Sequence, residues 1–131
     1  MEARKLISVV DDDQPFRESM VRLLQLSGYT VESFPSAKDF LASPQLVTTA
    51  CLIADVQMPD MTGFELHRHL VKAGWTIPTI LVTAFPSEEA RDHALKDGVL
   101  CYFGKPVDDQ QLDLCIQSAL QDGLKRSHNA P

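Results

Sequence analysis

Five short apolar runs, at residues 6–10, 30–34, 51–55, 77–82 and 99–103, alternate along the chain with five stretches of helical periodicity. Strands this apolar need cover on both faces, and strands separated each time by a helix pair most naturally in parallel, which leaves the helices to supply that cover. The chain is therefore expected to be α/β, a doubly wound parallel sheet with helices on both faces. Local chemistry sets the boundaries. Asp13 and Pro15 open the first helix, Phe16, Met20, Leu23 and Leu24 recur along it, and Gly28 stops it. The alternation from Thr30 to Phe34 suits a strand near the sheet edge, and Ser36 with Asp39 begins a short helix that ends before Pro44. Thr62 and Glu65 make a capping box for a third helix bearing Phe64, Leu66, Leu70 and Val71 before Gly74. Ser87, Glu88 and Glu89 start a polar fourth helix through about Lys96, closed by Gly98; its main apolar positions, Ala90, Ala94 and Leu95, predict weak anchoring. Asp108 and Gln111 open the last helix, where Leu112, Cys115, Ile116 and Ala119 share a face.

With 131 residues and 44% hydrophobic content, one core is expected: a domain over residues 1–121, then a polar, frayed tail or the start of a linker at 122–131. A net charge of -6 argues against direct nucleic-acid binding, which draws on clustered Lys and Arg, so any DNA contact falls to another domain. Cys51, Cys101 and Cys115 are odd in number, lack CxxC spacing and lie among apolar residues. They read as small buried hydrophobes in a reducing compartment. Only a few apolar residues follow the N-terminus before Asp11-Asp12-Asp13, which speaks against a signal peptide or membrane span and for a cytoplasmic location.

Three apolar strands end in polar groups at what should be one sheet edge: Asp11 and Asp12, then Asp55, then Thr83, with Lys105 after the fifth strand. In an open parallel sheet that edge forms the ligand crevice. Several carboxylates crowded there resist ionising together unless they share a cation. Oxygen donors without His or Cys select a hard ion, and a few carboxylates plus water suit Mg²⁺, with Asp12 and Asp55 as direct ligands and Asp11 acting through a water. Metal, Lys105 ammonium and Thr83 hydroxyl offer three partners for three phosphoryl oxygens, with Asp55 as nucleophile.

This ordered set (Val10-Asp11-Asp12, Asp55 with Met58-Pro59 and Gly63, Thr83-Ala84, Lys105-Pro106) resembles the receiver domain of bacterial two-component response regulators. The run Met58-Pro59-Asp60-Met61-Thr62-Gly63 is similar to receivers of LuxR-type, FixJ-like regulators. The resemblance implies a flavodoxin-like sheet in strand order 2-1-3-4-5. It implies a sensor histidine kinase that donates a phosphoryl group to Asp55, and Mg²⁺ (or Mn²⁺) held by Asp12, Asp55 and the Gln57 backbone carbonyl. It further implies that Thr83 moves to the phosphate, that Tyr102 is a rotating switch aromatic, and that the Lys105-Pro106 peptide is cis. The expected output surface is the fourth helix, fifth strand and fifth helix, with a LuxR-type DNA-binding effector in a longer chain and homodimerisation on phosphorylation as further implications.

Other residues carry plainer expectations. Gly104 stands where the family usually has a larger residue, so the end of the fifth strand is expected to be looser. Gln57 occupies a position at which the family varies phosphoryl lifetime. Phe85 reads as a loop aromatic packed locally, His67 and His69 as solvated, Met20, Met58 and Met61 as core and loop packing, and Trp75 as a loop hydrophobe. Two other functions compete with the phosphorylated switch. A phosphatase using Asp55 as a turnover nucleophile, as in haloacid-dehalogenase-like enzymes, would need an acid where Gln57 stands. A phosphorylation-independent interaction module would not require the full acidic and basic set. A nucleotide-binding glycine loop is missing after the first strand.

Overall fold

The computed structural model describes residues 5–128, with side chains described through Gln121. Strands β1 (Leu6–Val10), β2 (Thr30–Phe34), β3 (Thr49–Asp55), β4 (Thr79–Thr83) and β5 (Cys101–Gly104) pair in parallel in the order β2-β1-β3-β4-β5. Helices α1 (Gln14–Leu26), α2 (Ala37–Leu41), α3 (Gly63–Lys72), α4 (Glu88–Lys96) and α5 (Asp109–His128) connect and cover them. The period-two geometry of a strand sorts the apolar residues onto two faces. Ile7, Val9, Cys51, Ile53, Ile80 and Val82 pack on one face with Met20 and Leu24 of α1 and Leu112 and Ile116 of α5. Val10, Leu52, Ala54 and Leu81 pack on the other with Phe40 of α2, Leu66 and Leu70 of α3 and Ala94 of α4. Helix α4 buries only Ala94, and Leu95 remains 41% exposed, so the expected weak anchoring of α4 is present.

Boundaries differ from the sequence reading where hydrogen bonds decide them. Val99 closes α4, its N–H donating to the Ala94 carbonyl, and pairing with β4 begins only when the Leu100 N–H donates to Thr79 O at 2.8 Å. β5 is accordingly shorter at its start and runs on to Gly104. A short 3-10 helix, Pro44–Thr48, fills the span before β3, with the Ser43 hydroxyl accepting from the Gln45 N–H. The α5 helix continues through His128 instead of fraying after Gln121. Leu124, Lys125 and Arg126 are good helix formers, which offsets Gly123. The rest of the proposed tail, residues 129–131, and the N-terminal residues 1–4 lie outside the described residues.

The reading of the cysteines needs correction. Cys101 on β5 and Cys115 on α5 form a disulfide, and only Cys51 is free among the described residues. Both partners face the α1–α5 side of the sheet, and their meeting depends on helix docking, which no local spacing announces. Cysteine usage therefore gives no support to a reducing compartment. Cys51 does behave as a buried hydrophobe, with burial pushing its thiol up to about 12.

His67 is also corrected, being only 6% exposed. Gly63, Leu66, His67 and Leu70 form the buried stripe of α3 at helical spacing, and burial lowers the His67 pKa from its ordinary value, with Asp97 opposing. His69 faces solvent as expected. Phe85 is not packed locally but 75% exposed, because its N–H is turned inward onto Thr83 and Pro86 follows it. Met20 and Met58 are buried, and Trp75 and Met61 pack at the edge of the α2–α3–α4 cluster.

Candidate functional site

At the C-terminal edge of the sheet, β1 and β3 end side by side with Val10 opposite Ala54, so Asp11, Asp12 and Asp55 emerge together. Each of the three carboxylates offers an oxygen within 4.8 Å of the others. Their environments differ. Asp11 is 1% exposed and accepts the Asp13 N–H at 2.8 Å, which closes the turn into α1. Asp12 is exposed, and Asp55 is 4% exposed.

Lys105 arrives from β5. Its Nζ donates to Asp11 Oδ2 at 3.0 Å, lies 3.7 Å from Asp55 Oδ1 and sits 4.1 Å above the centre of the Phe16 ring. The expected looseness at Gly104 is absent. A Cβ at that residue would lie 2.8 Å from Pro86 Cγ, so the proline ring occupies the space a larger residue would take. The Lys105 N–H donates to Thr83 O at 2.8 Å, and the Lys105-Pro106 peptide is cis.

Charge balance makes this pocket suited to a cation. Burial pushes the Asp55 carboxyl up from 3.8 to about 6, and Asp11 and then Asp12 add to the rise, while Lys105 and the Gln57 backbone pull it down. One ammonium does not neutralise three acids. The donors are all oxygen, Asp12 is open to solvent, and Asp11 is already committed to Lys105 and Asp13. That set fits a hard divalent ion that keeps some of its water, as Mg²⁺ does.

Thr83 ends β4, one residue beyond the Val82 that pairs with Asp55. Its hydroxyl is fully enclosed, donates to Gln57 Oε1 at 2.6 Å and accepts the Phe85 N–H at 3.0 Å. Tyr102, opposite Leu81 in β5, is half-buried, and its hydroxyl accepts the Ser87 N–H at 3.3 Å at the start of α4.

The fold thus brings Asp11, Asp12, Asp55 and Lys105 into one pocket and sets Thr83 on the strand beside it. Sequence reasoning missed several supporting residues. Phe16 lies under the Lys105 ammonium, Arg17 Nη1 donates to the Asp11 carbonyl at 2.6 Å, and the Gln57 side chain reaches Thr83. Phe16 follows Pro15 in the first turn of α1, beside the acids, which was the available signal. The Gln57 position was already singled out, but its bond to Thr83 had no local signal, since the two residues are 26 apart.

Comparison with known proteins agrees with this geometry. The family described as "Response regulator receiver domain" matches residues 7–117. The chain is 33% identical over 126 residues to the response regulator protein TmoT of Ectopseudomonas mendocina, covering 96% of this chain and 57% of that one. It is 34% identical over 113 residues to the transcriptional regulatory protein FixJ of Rhizobium meliloti, covering 86% and 55% respectively. Among solved structures, response regulator StyR superposes with a TM-score of 0.88 at 33% identity, over 96% of this chain and 64% of that one. The chain spans about half the length of the curated relatives it matches.

Proposed function

The chain belongs to the response regulator receiver family, whose members are signalling domains of two-component systems and not turnover enzymes, and from that membership we propose that Asp55 is its phospho-acceptor. The observation that supports this is the Lys105 ammonium placed between Asp11 and Asp55 in a pocket of three carboxylates. An Asp55 carboxylate oxygen attacks the phosphorus of a phosphohistidine on a sensor histidine kinase. The new P–O bond forms as the P–N bond breaks, and the departing imidazole is protonated from solvent. Lys105 moves its ammonium from carboxylate to phosphoryl oxygen, and the Thr83 hydroxyl donates to a second oxygen. Mg²⁺, when held by Asp12, Asp55 and the Gln57 carbonyl with Asp11 acting through water, supplies the charge that lets carboxylate and phosphoryl oxygens approach. The aspartyl phosphate is an acyl phosphate, so attack by water returns the carboxylate and makes the switch self-resetting.

Phosphorylation adds charge and acceptor oxygens at one strand edge, and only contacts that differ between two states shift their balance. Thr83 and Tyr102 both reach the β4–α4 connection, and α4 is thinly anchored, so the output surface is α4, β5 and α5. In a longer protein this surface passes the signal to a LuxR-type DNA-binding effector and, on phosphorylation, pairs with a second copy of the chain. The domain acts in the cytoplasm, where histidine kinases present their phosphohistidine. No helix among the described residues is long and apolar enough to cross a membrane.

Incubation with Mg²⁺ and a small phosphoryl donor, followed by intact mass measurement, tests the proposal. The native chain is expected to gain one phosphoryl group and Asp55→Ala none; label on both, or on neither, overturns it. Amide exchange on the labelled protein then reads the surface. Changes should appear at α4, β5 and α5, whereas changes confined to α1 and α2 would reject that part of the assignment.

A further inference from the structure

The Thr83 hydroxyl has one proton, and here that proton is already in use. It goes to Gln57 Oε1 at 2.6 Å, inside a site where Thr83 is fully enclosed, while a Thr83 lone pair takes the Phe85 N–H at 3.0 Å. A hydroxyl donates one hydrogen bond at a time. The bond to Gln57 must therefore break before Thr83 can donate to a phosphoryl oxygen on Asp55. We propose that the Gln57 side chain is a latch that competes with the phosphoryl group for the Thr83 proton and so holds the domain in its resting state; this rests on the acceptor role assigned above to Asp55.

The latch is connected to the output elements. Phe85 hangs on Thr83 through its N–H, Pro86 packs within van der Waals reach of Gly104 on β5, and the Ser87 N–H donates to the Tyr102 hydroxyl. Release of Thr83 from Gln57 thus loosens a continuous chain of contacts from the acceptor loop after β3 to β5. Gln57 is a positioning residue, since its side chain acts on the phosphate through Thr83. Apart from this bond the residue is exposed, so substituting it removes the latch without opening the core.

A double-mutant cycle separates the latch from other effects of Gln57. Beryllofluoride with Mg²⁺ serves as the phosphoryl mimic, and its affinity is measured for native protein, Gln57→Met, Thr83→Ala and the double variant. Methionine keeps the length of glutamine but has no amide oxygen to accept the proton. Losing one intramolecular competitor should tighten mimic binding about 2- to 10-fold, the size of a single net hydrogen bond. In the Thr83→Ala background the same Gln57→Met change should have no effect. An unchanged or weaker affinity for Gln57→Met, or a gain that persists without Thr83, overturns the latch. Failure of the native protein itself to bind the mimic rejects instead the acceptor-site reading, and the latch with it.

Discussion

Metal-free protein carrying Asp55→Asn is expected to be more stable than the native chain at pH 7, by on the order of 2 kcal/mol or about 5–10 °C in melting temperature. The Asp55 carboxyl is pushed up from 3.8 to about 6 by burial and by its acidic neighbours. Between those values the folded chain holds a proton that the unfolded chain has released. Stability therefore falls as pH rises from about 4 to about 6, and the full penalty of ionising Asp55 in the pocket is present above that range. Asparagine keeps the shape and has nothing to ionise, so this contribution to the slope should vanish in the variant. Added Mg²⁺ should narrow the gap, because a ligand that binds only the folded native pocket stabilises it by mass action. Thermal melts at pH 4, 5, 6 and 7, with and without Mg²⁺, check this. A variant no more stable than native at pH 7 without metal would contradict the electrostatic account of the pocket.

Gly63→Ala should act in the opposite direction. A Cβ at this residue would stand 2.6 Å from the Asp55 carbonyl oxygen and 3.0 Å from Leu81 Cδ2. The leucine can shift, but the carbonyl belongs to the end of β3 and cannot swing away without moving the acceptor. Gly63 is also tied down by its own N–H, which donates to Val56 O at 3.1 Å. Either α3 backs off the sheet or the end of β3 is displaced. Overpacking of this kind costs about 1–3 kcal/mol, more than alanine gains from helix propensity at a first-turn position. Because the clash falls on Asp55, phosphoryl uptake should drop as well as stability. Urea denaturation together with the mass assay reads both, and a neutral or stabilised variant with normal uptake would show that the helix start has more room than the geometry gives it.

The two sensitivities meet at the stretch from Asp55 to Gly63, inside the most legible part of the sequence, residues 51–65. Its apolar run, terminal acid, Pro59 and capping box are local signals, and each produced the element expected of it. The acids after β1 and the Lys105-Pro106 pair were legible for the same reason, being fixed by short segments at strand ends. Strand order was a different matter. Alternation implies a parallel sheet, but the order 2-1-3-4-5 came from family resemblance, since pairing is a long-range choice. The misreadings share that origin. The Cys101–Cys115 bond needs α5 docked on β5, and the burial of His67 needed α3 to be read as a stripe with Gly63, Leu66 and Leu70 rather than as two histidines in isolation. Gly104 looked like a gap because Pro86, which fills it, comes from the neighbouring connection. Thr83 was identified by its strand end, yet its present partner, Gln57, was not, since one hydroxyl can choose among several acceptors that only the folded chain brings near.

Borohydride trapping of the phosphorylated protein tests the central claim most directly. Borohydride reduces an acyl phosphate to an alcohol and leaves free carboxylates intact, so the covalent attachment point is recorded in the peptide itself. After labelling in Mg²⁺, reduction and peptide mass mapping, homoserine should be found at position 55 and nowhere else, and chelating the metal before adding the donor should abolish it. Homoserine at Asp11 or Asp12, or a phosphorylated chain with no reducible carboxyl at position 55, would contradict the account.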